Sequence, residues 1–164
     1  MICAAIGQDS HRFEETPGKP LILGGVLFPE EPCGLLANSD GDVILHAVTN
    51  ALSGVTGRNI LGAAADAVCR AGGTDSRLYL AEAMKDLKAM GGCVRHLSVS
   101  IEAARPKIAP RTEEIKASLA ALLDTEPAHI GLTATTGEGL TDFGRGLGIS
   151  VFCLVTAEIA EGAV

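Results

Sequence analysis

Residues 94–103 read VRHLSVSIEA, and their alternation decides the fold. Leu97, Val99, Ile101 and Ala103 leave one side of an extended segment; His96, Ser98, Ser100 and Glu102 leave the other. This is the pattern of a strand with one face in a core. Working outward, residues 2–6 (ICAAI) read as a short strand ending at Gly7, and 21–28 (LILGGVLF) as two strand pieces bent at Gly24-Gly25. Residues 130–136 and 148–159 supply two more strands. Helices fit between them. Asp40 or Asp42 caps one running to about Ser53, with Gly54 and Gly57 as stops. Thr74-Asp75 starts a second, to about Met90, and Pro110 opens a third to about Leu123 with Ile115, Leu119 and Leu122 inward. Residues 58–73, rich in Ala and Gly, read as a short helix plus a mobile loop.

Strands alternating with helices predict an α/β (α+β) fold, a small mixed β-sheet with helices packed on one face. The length of 164 residues suits a single domain spanning 1–164. The other face of that sheet needs cover, and the aliphatic strands 94–103 and 148–159 point to another subunit as the cover.

Composition narrows the function. The formal net charge is -7, with no Lys/Arg tract, and aromatics make up 3%. A general nucleic-acid binder or an anionic-membrane binder is normally basic, and single-strand platforms need aromatics. We therefore expect neither nucleic acid nor membrane as a partner. The cysteines Cys3, Cys33, Cys69, Cys93 and Cys153 are odd in number and lack a C-x-x-C, which reads as reduced thiols in a cytoplasmic protein. The segment MICAAIGQDSHRF lacks a basic start, so it is not a signal peptide.

The chemistry concentrates in two short stretches. Asp9 and His11 lie two apart in GQDSHRF, so they leave one face of an extended segment. His46 lies in SDGDVILHA, on a helix where Asp42, His46 and Asn50 form one stripe beside the apolar Val43, Ala47 and Ala51. One carboxylate and two imidazoles suit zinc with a position left open for substrate. His46 alone is an ordinary helix histidine, and only its meeting with Asp9 and His11 makes it a ligand. Asp42 is a helix cap and a candidate to orient His46 from behind. Glu138 in a Gly-rich loop reads either as a solvated turn residue or as a metal ligand. Lys107 after Pro106 is either an exposed lysine or an anion contact. His96 and His129 carry no evident chemistry.

The chain resembles the 2-C-methyl-D-erythritol 2,4-cyclodiphosphate synthase family nearly end to end. The resemblance rests on DSHRF at 9–13, GLLANSDGDVILHA at 34–47, TDS at 74–76, AARPK at 103–107, and TATTGEGL with FGRG over 133–146. It implies a phosphorus-oxygen lyase of non-mevalonate isoprenoid biosynthesis. Such an enzyme converts 4-diphosphocytidyl-2-C-methyl-D-erythritol 2-phosphate to the cyclic diphosphate and CMP. It further implies a homotrimer, its sheets assembled around the trimer axis and its active sites between subunits. By the same resemblance Asp9, His11 and His46 bind Zn2+. Glu138 helps hold a second divalent cation, Mg2+ or Mn2+, with substrate. Thr136 and Asn38 fall at the positions that support the transition state. The substrate-binding set it implies comprises Asp9, Ser10, His11, Asn38, Ser39, Asn59, Ile60, Leu61 and Asp66 on one side. On the nucleotide side it comprises Ala103, Ala104, Arg105, Pro106, Lys107, Ile108, Ala109, Thr135, Thr136, Glu138, Asp142 and Arg145.

The chain also departs from that pattern. Asn38 stands where the family usually has His, and Asn50 replaces a common Asp. Residues 58–68 differ most, with Asn59-Ile60 at the start of the usual stretch and Asp66 at its later acid. Gly139 replaces a usual Lys, and Leu147 a common acidic residue near the trimer axis. Two rival readings follow. One is a non-catalytic trimeric nucleotide- or diphosphate-binding homologue, suggested by Asn38 and the altered loop. The other is a zinc hydrolase or deaminase, which the absence of H-E-x-x-H and of H-x-E with P-C-x-x-C argues against.

Overall fold

The alternating stretch lies inside a four-stranded mixed sheet in the computed structural model, which describes residues 1–62 and 72–162. The strands are β1 (Ile2–Arg12), β2 (Leu21–Leu23), β3 (Val26–Phe28), β4 (Cys93–Glu102), β5 (Ile130–Thr135) and β6 (Gly148–Glu158). The sheet runs β1-β6-β4-β5; β4 and β5 are parallel, and the other pairs antiparallel. β2 and β3 form a separate hairpin. The helices α1 (Val43–Thr56), α2 (Ser76–Ala89) and α3 (Thr112–Leu122) supply the rest of the core. Leu97, Val99 and Ile101 of β4 face that core and are fully buried, as their alternation predicts. Each such side chain contributes about 1.5–3 kcal/mol by leaving water. On the opposite sheet face Ile2, Ile6, Phe152 and Leu154 are exposed.

Helix α1 starts at Asp42, whose carboxylate accepts the Leu45 N–H. It ends at Gly57, which adopts φ 75° and returns its N–H to Ser53 O. The helix therefore runs past Ser53, because the glycine at 57 and not the one at 54 closes it. Helix α2 starts at the Asp75 cap, as the TDS motif predicts. Helix α3 begins at Thr112, because Pro110 first forms a tighter turn over Ala109–Arg111. Its buried side is Ile115, Leu119 and Ala120; Leu122 is only partly covered, and Leu123 is buried in its place. Of the stretch 58–73, where a short helix and a loop are expected, residues 63–71 lie outside the described residues, and Cys69 with them.

The largest departure from the sequence reading is β1. It does not stop at Gly7 but pairs with β6 without interruption from Ile2↔Glu158 to Arg12↔Gly148. Gly7 marks a close approach. A Cβ there would lie 1.9 Å from Ala47 O and 2.5 Å from Ala51 N, so α1 rests its backbone on the strand. No helix among the described residues is long and apolar enough to cross a membrane. We predict that Gly7→Ala forces α1 off the sheet and costs about 3 kcal/mol, read as a lower midpoint in urea unfolding.

Candidate active site

Asp9 and His11 project from the α1 side of β1, and His46 from the first turns of α1 above them. Asp9 Oδ2 lies 3.0 Å from His11 Nε2 and 3.0 Å from His46 Nδ1. The two ring nitrogens are 3.1 Å apart. Ligand atoms bonded at about 2.0–2.2 Å to a tetrahedral ion stand about 3.3 Å from one another, so this triangle has nearly the size of one tetrahedral face. Among the described residues it is also the one cluster of His, Cys, Asp or Glu able to hold a metal.

The hydrogens behind His46 make the same point. Asp40 Oδ1 accepts a short hydrogen bond from the Ser76 hydroxyl. A carboxylate only accepts, so Ser76 Oγ is left as an acceptor toward His46 Nε2, 2.8 Å away. His46 therefore carries its hydrogen on Nε2 and turns the Nδ1 lone pair to Asp9 and His11. Each of the three atoms can present a lone pair within 3.1 Å of the others, an arrangement that suits a divalent ion set among them. Burial pushes the Asp9 carboxyl up, but the close contacts and charge of the His11 and His46 rings outweigh it and hold the group far below the ordinary carboxylate range.

A cavity of about 450 Å³ opens above the triangle. Its lining includes Asn38, Ser39, Asn50, Leu61 and Tyr79 as well as the triad. Asn50 is tied by its Nδ2 to Gln8 O, and Tyr79 donates its hydroxyl to Gly73 O. Several expected residues lie elsewhere. Ser10 sits between Asp9 and His11 but leaves the opposite face of β1, as the period of two requires. Ile60 is buried in the core, and its neighbours Leu61 and Gly62 reach the cavity instead. Asn59 is exposed outside it, and Asp66 lies outside the described residues.

The other expected set gathers at one end of the sheet. Ser150 of β6 pairs with Ser10 on one side and with Glu102 on the other, so the loops after β1 and β4 leave the same edge two strands apart. None of residues 103–109 or 135–145 lines the cavity above the triad. Arg105 is drawn inward, pairing with Glu31 and stacking 3.7 Å over the Phe13 ring, while Lys107 is exposed. Thr135, Thr136 and Glu138 are exposed, and Glu138 adopts φ 52° in its turn. Arg145 pairs with Asp142 at 2.7 Å and donates to Gly139 O. Within one chain Glu138 lies outside the cluster formed by the triad's ligand atoms.

Asp42 does not touch the His46 ring, contrary to the expected orienting role. Its two oxygens accept the N–H groups of Gly24 at 2.8 Å, Gly25 at 2.6 Å and Leu45 at 3.1 Å. It fastens the β2–β3 turn to the start of α1. Sequence reasoning missed Ser76 and Asp40 as the partners of His46. The signals were the TDS motif for Ser76 and the NSDGD run for Asp40, both of which cap chemistry had already explained.

A model of the YgbB family matches residues 2–158. The 2-C-methyl-D-erythritol 2,4-cyclodiphosphate synthase of Chlamydia abortus is 49% identical over 153 residues, covering 92% of this chain and 86% of its own. The protein of the same name from Chlamydia trachomatis serovar L2 is 48% identical over 154 residues, covering 92% of this chain and 85% of its own. A solved structure of 2C-methyl-D-erythritol-2,4-cyclodiphosphate synthase in a CDP-bound form superposes with a TM-score of 0.82 at 34% identity, over 95% of this chain and 100% of that one.

Asp42 is fully buried. Burial pushes its carboxyl up to about 6, against the pull of the Gly25, Leu45 and Gly24 N–H groups. The folded chain then keeps a proton that the unfolded chain releases near pH ~4. The stability linked to this group is complete below that point and is lost as pH rises through about 6. Asp42→Asn removes that slope. It also turns an amide toward backbone donors, which costs about 2 kcal/mol in denaturant unfolding at neutral pH.

Proposed function

The chain belongs to the YgbB family, and on that premise we propose how its side chains carry out the family's cyclisation. It is a lyase of isoprenoid biosynthesis that acts on a cytidine diphosphate substrate. The reaction turns 4-diphosphocytidyl-2-C-methyl-D-erythritol 2-phosphate into 2-C-methyl-D-erythritol 2,4-cyclodiphosphate. An oxygen of the 2-phosphate forms a bond to the β-phosphorus, the bond from that phosphorus to CMP breaks, and CMP leaves with the electron pair.

The observation that carries the assignment is the Asp9–His11–His46 triangle at the floor of the cavity. A carboxylate with two imidazoles fits a divalent ion, and we assign it to zinc, which would draw charge from the β-phosphate. We assign Glu138 to a second ion, magnesium or manganese, that arrives with the diphosphate. Phosphoryl transfer asks for placement and charge neutralisation more than for covalent help. Both reacting phosphates belong to one molecule, so holding them near attack geometry supplies up to about 7–11 kcal/mol. Asn38 at the cavity wall and Thr136 offer donors to the oxygens where charge builds. The Asn38 amide donates hydrogen bonds but transfers no proton near neutral pH. Lys107, Arg145 and the backbone of 103–109 with Thr135 meet the nucleotide, and Arg105, drawn onto Phe13, holds that loop's start.

The active unit is a homotrimer working in the cytoplasm, each chain a single domain. The exposed apolar sheet face, with Ile6 71% and Phe152 50% exposed, supports it. So does the separation of the cavity from residues 103–109 and 135–145, since a neighbour would bring that half to the triad.

Two experiments test these readings. Zinc-loaded protein given the diphosphocytidyl substrate is expected to release CMP and the cyclic product. His46→Ala or a chelator removes that activity by at least about 10³-fold, since charge stabilisation of this kind carries several kcal/mol. Binding of substrate with no CMP released by the intact protein would favour the non-catalytic reading. For the assembly, Phe152→Glu places a charge on the apolar face. Sedimentation should then show monomers where the parent protein gives trimers.

A further inference from the structure

We propose that Ser76 and Asp40 are positioning residues for the metal ligand His46: Asp40 orients the Ser76 hydroxyl, and Ser76 fixes which nitrogen of His46 faces the ion. The inference rests on the metal reading above and goes beyond it, since neither residue touches the cavity's ligand atoms.

The chain of contacts has one consistent polarity. Asp40 Oδ1 accepts from the Ser76 hydroxyl and from the Asp42 N–H at 3.1 Å, and Asp40 Oδ2 accepts from the Ser76 N–H at 3.0 Å. With its carboxylate facing donors on every side, Asp40 holds the hydroxyl hydrogen toward itself. Ser76 Oγ is then free to accept only, and it takes the His46 Nε2–H at 2.8 Å. Ser39 Oγ stands farther off, at 3.3 Å, and already accepts the Gly41 N–H. The ring is pinned at Nε2, so Nδ1 keeps its lone pair and its aim toward Asp9 Oδ2 at 3.0 Å. Ser76 is itself held rigidly. It is fully buried in the first turn of α2, and Asp40 N–H donates to Thr74 O at 2.7 Å, so the turn before α2 is fastened to the loop before α1. A ring prevented from rotating and from exchanging tautomers gives up less freedom when it ligates, and a carboxylate behind its N–H makes it a stronger donor.

The probe is zinc alone, titrated against a chromophoric chelator, with the His46 ring read by 15N-histidine NMR of the zinc-loaded protein. In the parent protein the His46 Nε2–H should give a slowly exchanging resonance shifted downfield by its bond to Ser76. Ser76→Ala should lower zinc affinity about 10–100-fold, move that resonance upfield and speed its exchange. Asp40→Asn keeps the size of the group but presents an amide donor, and it should weaken zinc in the same range. Ser76→Thr keeps the hydroxyl and should restore most of the affinity. The inference is overturned if folded Ser76→Ala or Asp40→Asn protein binds zinc as tightly as the parent with an unchanged His46 resonance. It is equally overturned if Ser76→Thr is as weak as Ser76→Ala, because packing and not the hydroxyl would then matter. Failure of the parent protein itself to bind zinc would sink the metal reading instead, and so be told apart.

Discussion

The closeness of α1 to β1 at Gly7 is the constraint on which the site depends. With no side chain at position 7, the helix backbone lies directly on the strand. Ala47 and Ala51 are the helix residues whose backbone meets that glycine, and His46 is next to Ala47 in sequence. Asp9 and His11 follow Gly7 on the same strand face. One close packing contact thus brings together three ligand atoms that are 35 and 37 residues apart in the chain. Asp42 holds the other end of the arrangement by tying α1's first turn to the Gly24-Gly25 corner.

Charge explains why such a site is needed. The chain carries a net -7, yet its substrate is a diphosphate with a further phosphate. Long-range repulsion opposes binding, so attraction has to be local. A divalent ion held by the triad would concentrate it at one point, and Lys107 and Arg145 add positive charge at the end of the sheet where β1 and β4 finish. Arg145 is already paired with Asp142, which holds the guanidinium in place as much as it neutralises it. Arg105, by contrast, serves the fold, since Glu31 and the Phe13 ring occupy both its charge and its face.

The hydrogen bonds around Asp40 and Asp42 show how two acidic residues one glycine apart divide the work. Asp42 satisfies backbone N–H groups and caps a helix. Asp40 satisfies a hydroxyl and, through it, directs an imidazole. Both belong to the same polar run, NSDGD, and their composition is the same. Only the direction each carboxylate takes on either side of Gly41, with φ 79°, separates a structural role from one directed at the His46 ring.

Much of this was legible beforehand. Alternation in 94–103 identified a one-sided strand because side chains leave a strand in turn, and the stripe of Val43, Ala47 and Ala51 identified a helix face because a helix repeats every 3.6 residues. Spacing of two likewise put Asp9 and His11 together. These are local rules, and local sequence determines them. It did not determine that β1 continues through Gly7, because a glycine that ends a strand and one that admits a helix are the same residue. Nor did it place Ile60 in the core, Ser39 behind His46, or Ser76 against its ring. Those outcomes depend on which elements meet, and tertiary packing alone sets the distances at which distant carboxylates, hydroxyls and imidazoles come to share hydrogens.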